Sequence, residues 1–259
     1  MVRGKALRAV LIVCAILGLS CTASSIAQTP LRVAAAADLE PVLPSILEQF
    51  RKTSGIRVEA TYQASATLTS QIENGAPFDL FLSADIGFPQ RLIDGGFADG
   101  SAPLVYARGT LVLWTRNAAH LAPPSLDLLR SSDLKRLSIA NPRSAPYGRA
   151  AAAALRNLNL YEALQPHFVT AENIAQAAQF VDSGNADAGL ISLTLAVTPR
   201  LASSGTYYVM PRNLYPPIEQ GAVVLKRSQQ QSAARKLLNM ILSPPAQGEL
   251  SRGGLTPVH

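Results

Sequence analysis

The sequence predicts an α/β protein organised as two units, and three observations carry that prediction. Short apolar runs of strand length alternate with stretches in which apolar residues recur every three or four positions. The first hundred or so residues read strand, helix, strand, helix, strand, the order that builds a parallel sheet with helices on its faces. A proline-rich crossing at 211–217 then returns the chain to one more strand and two closing helices. Composition leaves room for this: of 259 residues 48% are hydrophobic and 15% charged. That suits a large core, and the charge density is too low for a disordered or nucleic-acid-coating chain.

The amino terminus reads as a targeting segment. Arg3, Lys5 and Arg8 form a basic head, residues 9–19 are an uncharged and largely apolar run, and Ser25-Ile26-Ala27 fits a small-x-small cleavage pattern. The apolar run is too short for a stable membrane-spanning helix and suits a secretory signal. We therefore expect residues 1–27 to be removed and the protein to work as a soluble periplasmic one. Removal takes away three basic residues and no acidic one, leaving 20 against 17 and lowering the formal charge from +6 to +3. Cys14 and Cys21 are the only cysteines, so the mature chain is expected to hold no disulfide or thiol chemistry.

Along the mature chain, 31–37 is an apolar strand. Leu39, Val42, Leu43, Ile46, Leu47 and Phe50 follow at helical spacing, with Asp38 placed to cap that helix. A strand at 57–62, a helix at 67–73 closed by Asn74-Gly75, and a strand at 79–83 come next. Further strands are expected at 110–114, 137–140, 188–193 and 222–225. Helices are expected at 149–158, after the breaker Pro146-Tyr147-Gly148, and from Ile174 to a stop at Gly184. Ser228 and Gln231 have the spacing of a capping box for a helix ending near Leu242, and Ser243-Pro244-Pro245 opens a last one.

Several chemistries are missing. His120, His167 and His259 are scattered with no ligand-spaced partner, which argues against a zinc site. There is no G-x-S-x-G elbow, no phosphate loop and no dinucleotide fingerprint. Lys135-Arg136 and Lys226-Arg227 are isolated doublets without aromatic interleaving, so no nucleic-acid partner is expected. Asp79 and Asp85 read as braces of turns. What remains is a set of turns rich in small and hydroxyl residues at helix starts: Ala37-Asp38, Ala64-Ser65-Ala66-Thr67, Ala145-Pro146-Tyr147-Gly148 and Glu172-Asn173-Ile174, with Ser192 at a strand end. A helix start offers unpaired N–H groups and the positive end of the dipole, which suits an anion held without a formal positive charge. Ordinary capping explains such turns equally well.

The same residues carry a resemblance. Val33-Ala-Ala-Ala-Ala-Asp-Leu39, Ala64-Ser-Ala-Thr-Leu68, the run from Gln71 to Asp85, Ala145-Pro-Tyr-Gly148 and the run from Tyr215 to Val224 together resemble the periplasmic molybdate-binding proteins of molybdate ABC importers, in the same order along the whole mature chain. The resemblance implies a two-lobe type II periplasmic binding fold, each lobe a mixed β-sheet flanked by helices. Lobe 1 would be residues 28–108 and 218–259, and lobe 2 residues 109–217, with crossings near 108–111 and 214–219. It further implies a solute-binding component without a reaction of its own or a cofactor. Such a protein binds molybdate or tungstate between the lobes and delivers it, as a monomer, to an inner-membrane ABC permease.

Position by position, Ser65 matches a hydroxyl donor of the family, and Tyr147 and Ile174 match backbone N–H donors. Asp38 stands where the family often has serine, and Ser192 where it often has tyrosine. A carboxylate beside a dianion is repulsive, so Asp38 either turns back as a helix cap, which is the expectation here, or the preferred ligand is not simple molybdate. Ser192 reaches less far than tyrosine. The readings kept beside this one are a binding protein for another oxyanion or small polar organic anion, and an exported hydrolase using Asp79 or Asp85.

Overall fold

The computed structural model describes residues 29–119 and 121–258. The expected signal segment with both its cysteines, and the histidines His120 and His259, lie outside the described residues. The chain opens with β1 (Leu31–Ala36), a 3-10 turn (Ala37–Leu39), α1 (Leu43–Ser54), β2 (Val58–Gln63), α2 (Ser65–Glu73), β3 (Leu80–Ser83), α3 (Gly87–Asp94) and β4 (Leu104–Gly109). It continues through β5 (Leu111–Arg116), β6 (Leu137–Ala140), α4 (Pro146–Asn157), α5 (Tyr161–Leu164), β7 (Phe168–Ala171), α6 (Ile174–Asp182), β8 (Ala188–Ser192), α7 (Leu193–Ala196), α8 (Pro199–Ser204) and β9 (Gly205–Val209). It closes with β10 (Ile218–Val224), α9 (Gln231–Ile241) and α10 (Pro244–Arg252).

These strands form two five-stranded sheets of matching design, β2-β1-β3-β10-β4 and β7-β6-β8-β5-β9. In each, the first three strands are parallel and the last two are antiparallel neighbours. The fourth place is taken by the strand that arrives from the other half: β10 in the first sheet, β5 in the second. Two connections therefore join the halves, the short step from β4 to β5 and the segment from β9 to β10. The α/β architecture of two sheets flanked by helices is the one expected.

Strand alternation divides the core. Leu31, Val33 and Ala35 of β1 pack with α1, α9 and α10 on one face, and Ala34, Phe81 and Val223 pack toward α2 and α3 on the other. The second half has a larger core around Trp114, Leu137 and Leu190, and it runs on without a break into Ala36, Ala37, Ala64 and Ala84 of the first half. Small residues at those strand and helix ends let the two halves approach closely.

Several local expectations need correction. The first helix starts at Leu43, not at Asp38. Pro41 and Pro44 have no N–H to offer the carbonyls of Ala37 and Glu40, so a continuous helix cannot cross them. Pro44 is tolerated in the first turn of α1. Pro146-Tyr147-Gly148 is the first turn of α4, not a breaker before it. The capping box at Ser228 does not form: its hydroxyl donates to Asp79 Oδ1 (2.6 Å) and accepts from Gln230 N (2.9 Å), and α9 begins without a side-chain cap. The buried Asp79 carboxylate needs donors, and Ser228 together with the Arg32 amide (2.7 Å) supplies them. The last strand starts at Ile218, four residues ahead of the expected position.

Candidate ligand-binding site

Three helix starts and the 3-10 turn meet where the halves face each other. Ser65 opens α2, Tyr147 is the second residue of α4, and Ile174 opens α6. First-turn amides have no carbonyl within their own helix to bond. Asn173 caps α6 as the turn chemistry suggests, its side chain accepting from Gln176 N at 2.9 Å. The four expected residues Asp38, Ser65, Tyr147 and Ile174 line one tight pocket with Ala36, Ala37, Gln63, Ala64, Ala84, Ala145, Pro146 and Asn173. No lysine, arginine or histidine is among these residues. Any anion held here would be held by neutral donors.

Ser65 is fully buried, and its Oγ accepts from Ala84 N at 3.1 Å. The acceptor side of the hydroxyl is thus engaged across β3, and its single proton is what remains to offer. Gly148 holds α4 tight against the end of β6. A Cβ there would lie 2.8 Å from the carbonyl carbons of both Ala140 and Asn141, so only glycine lets the helix start come this close. Gly109 plays a similar part at the β4–β5 crossing, where a Cβ would collide with the Tyr147 hydroxyl.

Asp38 does not cap a helix. It lies inside the 3-10 turn, fully buried, and no side-chain cap bond is made there. Its Oδ2 accepts from Tyr147 Oη at 3.0 Å and from Gln220 Nε2. One carboxylate oxygen is thus gripped by α4 from the second half and β10 at the crossing, while Oδ1 is buried with no partner. Burial pushes the carboxyl from 3.8 up to about 6, against the opposing pull of the Gln220 and Tyr147 hydrogen bonds. The same burial, and then the Asp38 charge, raise Tyr147 well above the ordinary phenol range. Tyr147 stays a neutral donor.

Ser192 does not line this pocket. It is fully buried at the end of β8, with its hydroxyl 2.9 Å from Thr194 Oγ1. The short side chain finds its partner two residues away. Beyond the pocket, Asp85 accepts from Phe88 N at 3.1 Å and pairs with Arg149, joining the start of α3 to α4 across the two halves. Ala66 N also bonds Ser144 O across the halves at 3.1 Å. Both Asp79 and Asp85 therefore brace turns. Gln220 is the contributor the sequence reading did not single out.

Among known proteins, the family model described as bacterial extracellular solute-binding protein matches residues 31–256. The chain belongs to this family. A relative named molybdate-binding protein ModA, from Azotobacter vinelandii, is 36% identical over 228 residues, covering 88% of this chain and 89% of its own. One of the same name from Rhodobacter capsulatus is 36% identical over 197 residues, covering 76% of each chain. The solved structure of the Azotobacter vinelandii periplasmic molybdate-binding protein superposes with a TM-score of 0.82 at 30% identity, covering 88% of this chain and all of that one. A sulfate-binding protein of Mycobacterium tuberculosis shares the fold at a TM-score of 0.74 and 18% identity. In this solute-binding protein, no group of three or more His, Cys, Asp or Glu residues that could hold a metal ion occurs among the described residues, and no described helix is long and apolar enough to cross a membrane.

Proposed function

We propose that this protein is the periplasmic solute-binding component of a molybdate ABC importer, and that it binds molybdate, and tungstate with it, between two lobes. The observation that carries the reading is the convergence of the α2, α4 and α6 starts on one pocket free of basic side chains. Relatives that cover most of the chain are named for molybdate. Lobe 1 is assigned residues 28–108 and 218–259, lobe 2 residues 109–217. Residues 1–27 are a signal removed on export.

In this reading the Ser65 hydroxyl and the amides of Asp38, Ser65, Tyr147 and Ile174 donate to the oxyanion. Four oxygens with two negative charges call for roughly seven donors, so the lobes must close to gather them. Ser192 lies outside the pocket wall and acts on the ligand through water. Molybdate and tungstate are near-isosteres, whereas sulfate is smaller and leaves rigidly held donors too far away. The protein acts as a monomer with no cofactor and no reaction of its own, and the closed form presents both lobes to an inner-membrane permease.

Calorimetry and thermal shift with molybdate, tungstate, sulfate and phosphate test this. Saturable molybdate binding that Ser65→Ala weakens about tenfold or more supports the site. No thermal shift with molybdate, or unchanged binding in Ser65→Ala, refutes it.

A further inference from the structure

Asp38 has an unusual position for a pocket meant for an anion. Its carboxyl is completely buried between the halves, held on Oδ2 by Tyr147 from α4 and Gln220 from β10. Oδ1 has no donor, and neither has the nearby buried Oε1 of Gln220. An ionised carboxylate accepts about four hydrogen bonds when satisfied. Here two acceptors lack a donor, and one added proton on the carboxyl would turn an orphan acceptor into a donor.

The groups around it supply no balancing charge. The titratable side chains facing Asp38 are Tyr147 from α4 and Tyr106 from β4, both pushed upward by burial and by the Asp38 charge. Gln220 from β10 is neutral. Of the elements packed on the 3-10 turn, β2 carries Glu59, bonded to Arg57, and Tyr62, pushed up to about 12 by burial and by Glu40, and α6 carries only Asp182, bonded to Arg200. The short α7 has no charged residue. Glu40 follows the turn and is exposed. Arg149, the nearest cation in the same helix as Tyr147, is engaged by Asp85.

Resting on the molybdate reading above, we propose that Asp38 is a proton-binding site coupled to the ligand: closing the lobes over the oxyanion transfers one proton from solvent to the Asp38 carboxyl. In the open form the carboxyl faces water and ionises like an ordinary aspartate. In the closed form it shares a pocket with a dianion, and its charge is neutralised by the proton taken up. The complex therefore forms as dianion plus proton, and the pocket carries two negative charges instead of three. Burial, against the opposing pull of the Gln220 and Tyr147 hydrogen bonds, already holds the closed-form carboxyl at about 6, and a bound dianion acts in the same direction as burial.

The sign follows from linkage. The bound state holds more protons than the free state between the two carboxyl pKa values, so affinity falls by up to tenfold per pH unit as pH rises through that window and levels off above it. Calorimetric titration of the purified protein with sodium molybdate, in buffers of different ionisation enthalpy, reads proton uptake directly. We expect about 0.8 to 1 proton taken up per molybdate at pH 5, and affinity weaker by about tenfold at pH 7 than at pH 5. Asp38→Asn, which keeps the shape and stays neutral, should bind with no proton uptake attributable to the site and with affinity constant within about twofold over the same range. An infrared difference spectrum on adding molybdate should show a protonated-carboxyl band in the wild type that is missing in Asp38→Asn.

Molybdate binding by the wild type without proton uptake overturns this proposal and leaves the site assignment standing. Proton uptake that persists in Asp38→Asn overturns it as well. Failure of the wild type to bind molybdate at any pH overturns the site reading, and this proposal with it. The wild-type stoichiometry needs no variant, so a poorly folding Asp38→Asn does not block the test.

Discussion

Gly148→Ala is the most direct probe of how the fold builds its binding pocket. The added methyl would sit 2.8 Å from two main-chain carbonyl carbons at the end of β6, and closer still to the Ala140 oxygen. Main-chain atoms cannot swing aside as a side-chain tip can, so the start of α4 has to withdraw by roughly an ångström to regain van der Waals contact. Overpacking of this kind costs about 1–3 kcal/mol, and alanine's better helix propensity returns at most about 1 kcal/mol. A net loss of about 1–2 kcal/mol lowers Tm by roughly 2–8 °C in a protein of this size.

The effect on the ligand should be larger. The same movement carries the Tyr147 amide away from the pocket, and a hydrogen bond to a charged partner is worth about 1.5–3 kcal/mol. Molybdate affinity should then fall by roughly ten- to a hundredfold. Calorimetry and a thermal melt on the same preparation measure both quantities. Gly248→Ala is the control: in half-buried α10, the added methyl meets nothing closer than an Arg252 nitrogen at 3.7 Å and should leave binding unchanged. If Gly148→Ala binds molybdate within twofold of wild type and melts at the same temperature, the close approach of α4 to β6 does not position the site.

Three further outcomes follow from the same geometry. Ser65→Ala removes the acceptor of the Ala84 amide as well as a ligand donor, so chemical denaturation should show a loss of about 1–2 kcal/mol alongside the weaker binding. Asp79→Ala leaves the Arg32 amide and the Ser228 hydroxyl without their acceptor and should destabilise by about 3 kcal/mol, read as a lower urea midpoint. Asp38 makes stability depend on pH in a definite direction. In the closed form its carboxyl is raised from 3.8 to about 6, so the closed folded state holds the extra proton, and its stability falls as pH rises through that window. The difference amounts to about 3 kcal/mol at neutral pH, and Asp38→Asn should flatten this slope in denaturation curves recorded with saturating molybdate from pH 4 to pH 7.

Much of this arrangement is legible in the residues, and the parts that are not share a physical cause. Strands buried on both faces, such as β3 and β8, announce themselves as short apolar runs, and amphipathic helices such as α1 and α6 by their spacing. The strands that escaped, β4, β7 and β9, all lie at sheet edges with exposed or half-buried residues, so their sequences show no fully buried run. Helix α3 opens Gly-Phe-Pro and is short, which hides it among turn signals. Asp38 is the instructive case in the site. Local chemistry favours a cap, and only the distant Tyr147 and Gln220, which no window of sequence brings near it, draw the carboxylate inward. Gln220 was hidden for the same reason, as a polar residue in a strand start that reads as loop.

The ladder between β4 and β10 carries one residue too many. Gln220 pairs with Ala107, yet Gly221 pairs with Val105, leaving Tyr106 as the surplus residue, pinned by its hydroxyl to Ser83 O at 3.2 Å. Because side chains alternate faces, removing that one residue would invert every position between it and the crossing. Gly109 would then turn its open side away from Tyr147, and the second lobe would meet the first on the wrong face. The residue count between Val105 and Gly109 is thus a phase setting, and it fixes which surfaces the two lobes can present to each other.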